Sequence, residues 1–174
     1  MGSLKKHCHI RTLLLLCKRV IDKICRQLVE GLKLLITKEA YNKLIDCPKV
    51  PPETGGVLLG FNSIVDTVVF DVGRNRANTS IINYIPNVKF LNECISIFCS
   101  QGKDFFGIFH THACQWDSLS SADIHYIKNI MNAMPTEIEH LYFPIVYPEK
   151  CVKPYKVSRY PNMFMIREET IKLI

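Results

Sequence analysis

The apolar positions of the chain fall into two rhythms, and their alternation sets the expected fold. Residues 12–29, "TLLLLCKRVIDKICRQLV", place Leu13, Cys17, Val20, Ile21, Ile24 and Leu28 at steps of three and four, the spacing of an amphipathic helix. Residues 32–36 predict a strand and 38–46 a helix. A loop rich in proline and glycine, "PKVPPETGG", leads into two strands with many β-branched residues, "VLLGF" and "SIVDTVVFDV". The polar connection "GRNRANTS" follows. In "IPNVKFLNECISIFCSQGK", Val88, Leu91, Ile95, Ile97 and Phe98 suit a helix ended by Gly102. Residues 105–112 predict a strand, 120–134 a helix stopped by Pro135, and "HLYFPIVY", "PYKVSRY" and "MFMIR" closing strands. Helices interleaved with strands predict an α/β fold, with one mixed sheet and helices packed against it.

The chain has 174 residues, 48% of them apolar and 22% charged, which suits one globular domain with a short appendage. The expected division is an N-terminal amphipathic helix or extension over 1–30 and a domain over 31–174. That helix either packs on its own domain or docks a partner. The net charge is +6, with an early excess in Lys5, Lys6, Arg11, Lys18, Arg19, Lys23 and Arg26. These residues solubilise the chain or attract an acidic partner. They lack an aromatic stacking pattern, so nucleic acid is not expected. Eight cysteines form no C-x-x-C pair, which points to free thiols in a reducing compartment. The leucine run 13–16 is too short for a secretory core or a membrane span. A soluble, cytoplasmic protein without a membrane partner is expected.

The chemistry concentrates in "FFGIFHTHACQWDSLSSAD", residues 105–123. Side chains alternate faces along a strand, so His110 and His112 point the same way, about 6–7 Å apart at ~3.3 Å rise per residue. By that alternation Phe106 and Ile108 share their face, and Phe105, Gly107, Phe109 and Thr111 take the other. A loop then turns into a helix with Ser120 at its N-cap and Asp123 in its first turn, where the helix end favours an anion. Two imidazoles and a carboxylate are three protein ligands for zinc, with the fourth position open. Each group also has a plain alternative: a packed core histidine, or a simple capping pair in Ser120 and Asp123. A hydrolytic metal site further needs a base. The best choice is Glu53 in "PPETGGVLLG", behind a rigid Pro-Pro and ahead of Gly55 and Gly56, which leave room for close backbone approach.

"E-T-G-G-V-L-L-G" followed by "H-T-H-x7-S-x-x-D" resembles the signature of the JAMM metalloproteases, the MPN+ (JAB) family, over roughly residues 31–170. Glu53, His110, His112, Ser120 and Asp123 occupy its five positions. Ala113 and Leu119 stand where the family often has proline, and neither is a ligand position. The resemblance implies a curved mixed sheet flanked by helices, in the cytidine-deaminase-like MPN/JAB fold. It implies one zinc ion per chain, held by His110, His112 and Asp123. Glu53 would be the base that passes a proton from water to the leaving amine, and Ser120 would stabilise the oxyanion. The implied substrate is the C-terminal tail of a ubiquitin-like protein joined to a target, cut after its last glycine. Residues 73–84 are expected to wall the groove for that tail, with Arg74 and Arg76 meeting acidic groups of its body. The chain resembles small bacterial JAB deconjugases, including those of CBASS antiphage operons, whose target is a nucleotide cyclase.

Other zinc enzymes fit poorly. A cytidine deaminase needs H-x-E with P-C-x-x-C, and a zincin needs H-E-x-x-H; neither pattern occurs. A metallo-β-lactamase would continue H-x-H-x-D-H, where Cys114 and Gln115 stand. Two alternatives stay open: a peptidase that processes sulfur-carrier proteins, and a non-catalytic MPN scaffold.

Overall fold

Strand β1 (Lys33–Ile36) buries every second residue, Leu34 and Ile36, and leaves Lys33 and Leu35 half-buried. It opens a computed structural model that describes residues 33–48, 53–74, 84–112 and 118–174. From Leu34 onward these form one compact unit. The helix expected over 12–29 lies outside the described residues, as do Arg76 and Cys114. Thr37 caps helix α1 (Lys38–Ile45) by accepting the Ala40 N–H at 3.2 Å. Ala40 and Leu44 face inward, and Glu39 and Lys43 sit at the helix ends whose partial charges favour them.

Strands β2 (Gly55–Phe61) and β3 (Ile64–Asp71) form a hairpin, and β4 (Asp104–Thr111) pairs antiparallel with the other edge of β2. Helix α2 (Val88–Ser100) connects β3 to β4. It buries Leu91 and packs Ile95 and Phe98, whereas Val88 and Ile97, expected on the same face, are about half exposed. Gly102 follows the helix at φ +88, the left-handed conformation that suits glycine after a helix end. Helix α3 (Ser121–Ala133) ends before Pro135, and the Arg159 guanidinium donates to the carbonyls of Met131 and Met134 in its last turn.

The expected single strand over "HLYFPIVY" is two short ones, β5 (His140–Tyr142) and β6 (Ile145–Tyr147). Pro144 has no N–H to offer a ladder, and the chain changes partners there. β4 runs parallel to β5 at Gly107 and to β6 at His110 and Thr111. β6 then pairs with β7 (Cys151–Lys153), and β5 with β8 (Tyr155–Tyr160), which pairs with β9 (Met163–Glu168). β10 (Thr170–Leu173) lies beside β1. β7 and β10 were not expected from the sequence pattern. The sheet is mixed, in the order β10-β1-β3-β2-β4-β5-β8-β9. Core residues fill both faces: α1 lies over Leu58, Val68 and Phe109, while α2 and α3 cover Val57, Leu59 and Ile108. No helix among the described residues is long and apolar enough to cross a membrane.

Strand β4 departs from strict alternation. Its register with β2 slips between Leu58, opposite Gly107, and Leu59, opposite Phe105, so Phe106 is an extra residue. Phe105 therefore packs with Ile108 under α2 and α3, and Phe106 packs on the opposite face with Phe109. This reverses the faces expected for the two phenylalanines. Beyond the bulge the alternation resumes and delivers both histidines to one side.

Candidate metal centre

The exit end of β4 is fastened on both edges. Its His110 stands opposite Gly55 of β2 and Ile145 of β6. The His110 amide donates to the Pro144 carbonyl at 3.2 Å and the His112 amide to the Val146 carbonyl at 3.0 Å. Between the histidines, Thr111 is fully buried and points to the other face. Its amide donates to the Thr54 carbonyl at 2.8 Å, and its hydroxyl accepts the Thr54 N–H at 2.9 Å. This pair of bonds sets Glu53 beside the histidine strand.

His110 Nε2 and His112 Nε2 lie 2.9 Å apart. Asp123 Oδ1 is 3.3 Å from His110 Nε2, and Asp123 Oδ2 is 3.5 Å from His112 Nε2. The three ligand atoms fall within 4.8 Å of one another, close enough to hold one metal ion. The donor set fits such an ion, because two imidazole nitrogens and a carboxylate oxygen bring lone pairs to a common point that a cation would occupy. His112 is 5% exposed, and its ring meets the Tyr147 ring edge-on at 6.4 Å between centroids.

Asp123 is set by the start of α3. Ser120 Oγ accepts the Asp123 N–H at 3.1 Å, and the Ser120 N–H donates to Asp123 Oδ2 at 2.7 Å, a reciprocal capping box. The capping box thus places Asp123 in the group that could hold a metal ion. The cap uses a lone pair of the Ser120 hydroxyl, and the same side chain hydrogen-bonds the Asp123 carboxylate. Burial opposes ionisation of Asp123, yet hydrogen bonds from His110 and His112, the His110 charge and a hydrogen bond from Ser120 hold its carboxyl far below the usual range.

A cavity of about 540 Å³ is lined by Glu53, His110, His112, Ser120 and Asp123 together. Glu53 stands outside the group of metal-ligating atoms but within the same chamber. Burial raises its carboxyl pKa, against the pull of His112, His110 and the Tyr84 amide, which donates to Glu53 Oε2 at 3.4 Å. The other walls are largely apolar, including Ile85, Ile108, Tyr126 and Phe143. The close approach expected at the glycines is present at Gly55, where a Cβ would collide with the Tyr84 ring and the Phe109 carbonyl. Of the expected groove wall over 73–84, Gly73, Arg74 and Tyr84 are described; Tyr84 lines the cavity, and the Arg74 amide donates to the Ile85 carbonyl at 3.0 Å.

The site contacts of Thr111 and Asp71 escaped sequence reasoning, and Tyr84 was expected only as part of the groove wall. Thr111 sits inside the H-x-H pattern, but its partner is 57 residues away. Asp71 ends a strand, a place usually read as the start of a turn.

No protein-family model matches the chain, and no curated protein matches it. Among solved structures, it is similar to the solution structure of protein DSY2949 from Desulfitobacterium hafniense. The TM-score is 0.57 at 15% identity, with 80% of this chain and 92% of that chain covered. At that identity the likeness extends to the fold alone.

Proposed function

We propose that this chain is a JAMM-type zinc metallopeptidase with an MPN-like fold. Its reaction is cleavage of the peptide or isopeptide bond after the C-terminal glycine of a ubiquitin-like protein. The observation that carries this reading is the meeting of His110, His112 and Asp123 within 4.8 Å in a chamber that Glu53 and Ser120 also line. Two histidines and one carboxylate are a donor set of catalytic zinc, which leaves a coordination position for substrate or water. Bound there, zinc supplies Lewis acidity and makes water a stronger acid.

The remaining roles belong to the chain. Glu53 takes the proton of the attacking water and gives it to the leaving amine. Its burial raises its proton affinity, in the direction a base working near neutral pH requires. Ser120, already accepting from the Asp123 amide, donates its hydroxyl proton to the carbonyl oxygen as negative charge develops. The apolar walls exclude water around these groups, which strengthens each electrostatic interaction.

The test uses full-length protein purified without chelator. It is incubated with a panel of ubiquitin-like proteins, ubiquitin included, each joined at its terminal glycine either to a linear reporter or to a lysine side chain. Cleavage after glycine, stopped by a zinc chelator and restored by zinc, is the expected result. Zinc-loaded protein that cuts neither substrate overturns the proposal. The ratio of the two rates separates an isopeptidase from a processor of linear carrier fusions.

A further inference from the structure

Asp71 closes β3 as a buried carboxylate, 3% exposed. It stands opposite Gly55, which stands in turn opposite His110, so the three residues form a rank across β3, β2 and β4. Each Asp71 oxygen is engaged. Oδ1 accepts the Gly73 N–H at 3.0 Å. Oδ2 accepts the Tyr84 hydroxyl and the Asn87 N–H, each at 2.7 Å. Gly73 adopts φ +77, a left-handed conformation that glycine accommodates. One side chain thereby holds both ends of the connection between β3 and α2.

Tyr84 is the link from this knot to the metal chamber. Its phenol is tied to Asp71, its ring fills the space above Gly55, and its backbone N–H donates to Glu53 Oε2 at 3.4 Å. That amide is a fixed dipole aimed at one oxygen of the carboxylate. At 3.4 Å this bond is longer than the usual range of about 2.7–3.2 Å, as hydrogen bonds of catalytic groups often are before substrate binds. A base must hold its free oxygen within hydrogen-bond reach of the proton it removes, and small errors of placement are costly in rate.

The geometry points to Asp71 as the positioning residue of Glu53, acting through the Tyr84 phenol to fix the Tyr84 amide against the carboxylate. This inference rests on Glu53 being the base of the proposed reaction. Asp71 touches neither substrate nor ligand group. Its effect is on rate, with metal content and substrate binding left alone.

Two variants of the full chain test it: Tyr84→Phe, which keeps the ring over Gly55 and removes the hydroxyl, and Asp71→Asn. Both are assayed for zinc content, melting temperature, kcat and KM on the reporter fusion. A second readout needs no activity. In metal-free protein, the amide cross-peak of residue 84 is compared by NMR in wild type, Glu53→Gln and Tyr84→Phe. Tyr84→Phe is expected to hold wild-type zinc and KM while kcat falls roughly 10- to 100-fold. Both substitutions are expected to move the residue-84 amide resonance. An unchanged kcat in Tyr84→Phe, with wild type active, overturns the inference and leaves the proposed function standing. A residue-84 amide that ignores Glu53→Gln overturns it even where no substrate is cleaved. Should Asp71→Asn fail to fold, Tyr84→Phe and the amide readout still decide.

Discussion

Thr54 and Thr111 are stitched together by their backbones and one hydroxyl: the Thr111 amide donates to the Thr54 carbonyl at 2.8 Å, and the Thr54 amide donates to the Thr111 hydroxyl at 2.9 Å. The stitch lies between the two histidines on one strand and immediately after Glu53 on the other. These two hydrogen bonds hold the proposed base beside the histidine pair.

Thr111→Val keeps the shape and β propensity but leaves the buried Thr54 N–H without its acceptor. The expected cost is about 1–3 kcal/mol, the desolvation penalty of one unsatisfied buried donor. Thr111→Ser retains the hydroxyl and should lose less. Urea denaturation of the three proteins measures this, and a Val variant as stable as wild type would show that the bond contributes nothing.

Ser120 carries two separable duties. Ser120→Ala removes the cap on the Asp123 amide and should cost about 0.5–2 kcal/mol of stability. The Ser120 N–H to Asp123 Oδ2 bond survives in that variant, so zinc should stay bound. Turnover should fall roughly 100-fold or more, as when an oxyanion donor is removed. Loss of stability with turnover intact would reduce Ser120 to a cap.

His140, the first residue of β5, has its imidazole pKa held below the ordinary value by burial, then by the nearby Lys156 charge, against the pull of Glu139. The unfolded chain then binds this proton more readily than the folded one, so the contribution of His140 to stability is present above about pH 6.5 and fades as pH falls through its folded value. His140→Gln should therefore lose less melting temperature than wild type between pH 7.5 and 5.5. Parallel pH profiles for the two proteins would contradict this.

The site was more legible in sequence than the fold around it. The H-x-H pair and S-x-x-D are read from residue types and spacing, because a strand's period and a helix cap are local rules, whereas Glu53 joins them only through the family resemblance. The faces of Phe105 and Phe106 were not legible, since the bulge that exchanges them is set by pairing with Leu58 and Leu59 of β2. β5 and β6 merged in prediction because Pro144 interrupts an apolar run whose two halves join different partners. Asp71, Tyr84 and Thr111 act through contacts 13 to 57 residues distant, which no local pattern encodes.

Zinc content per chain, measured by mass spectrometry on protein purified without chelator, tests the central claim most directly. The account predicts one zinc in wild type and in Glu53→Gln, with cleavage lost in the latter. It predicts roughly a tenth of that zinc or less in His112→Ala and Asp123→Ala, each of which deletes a ligand. Full zinc occupancy in Asp123→Ala, or undiminished cleavage by Glu53→Gln, would contradict it.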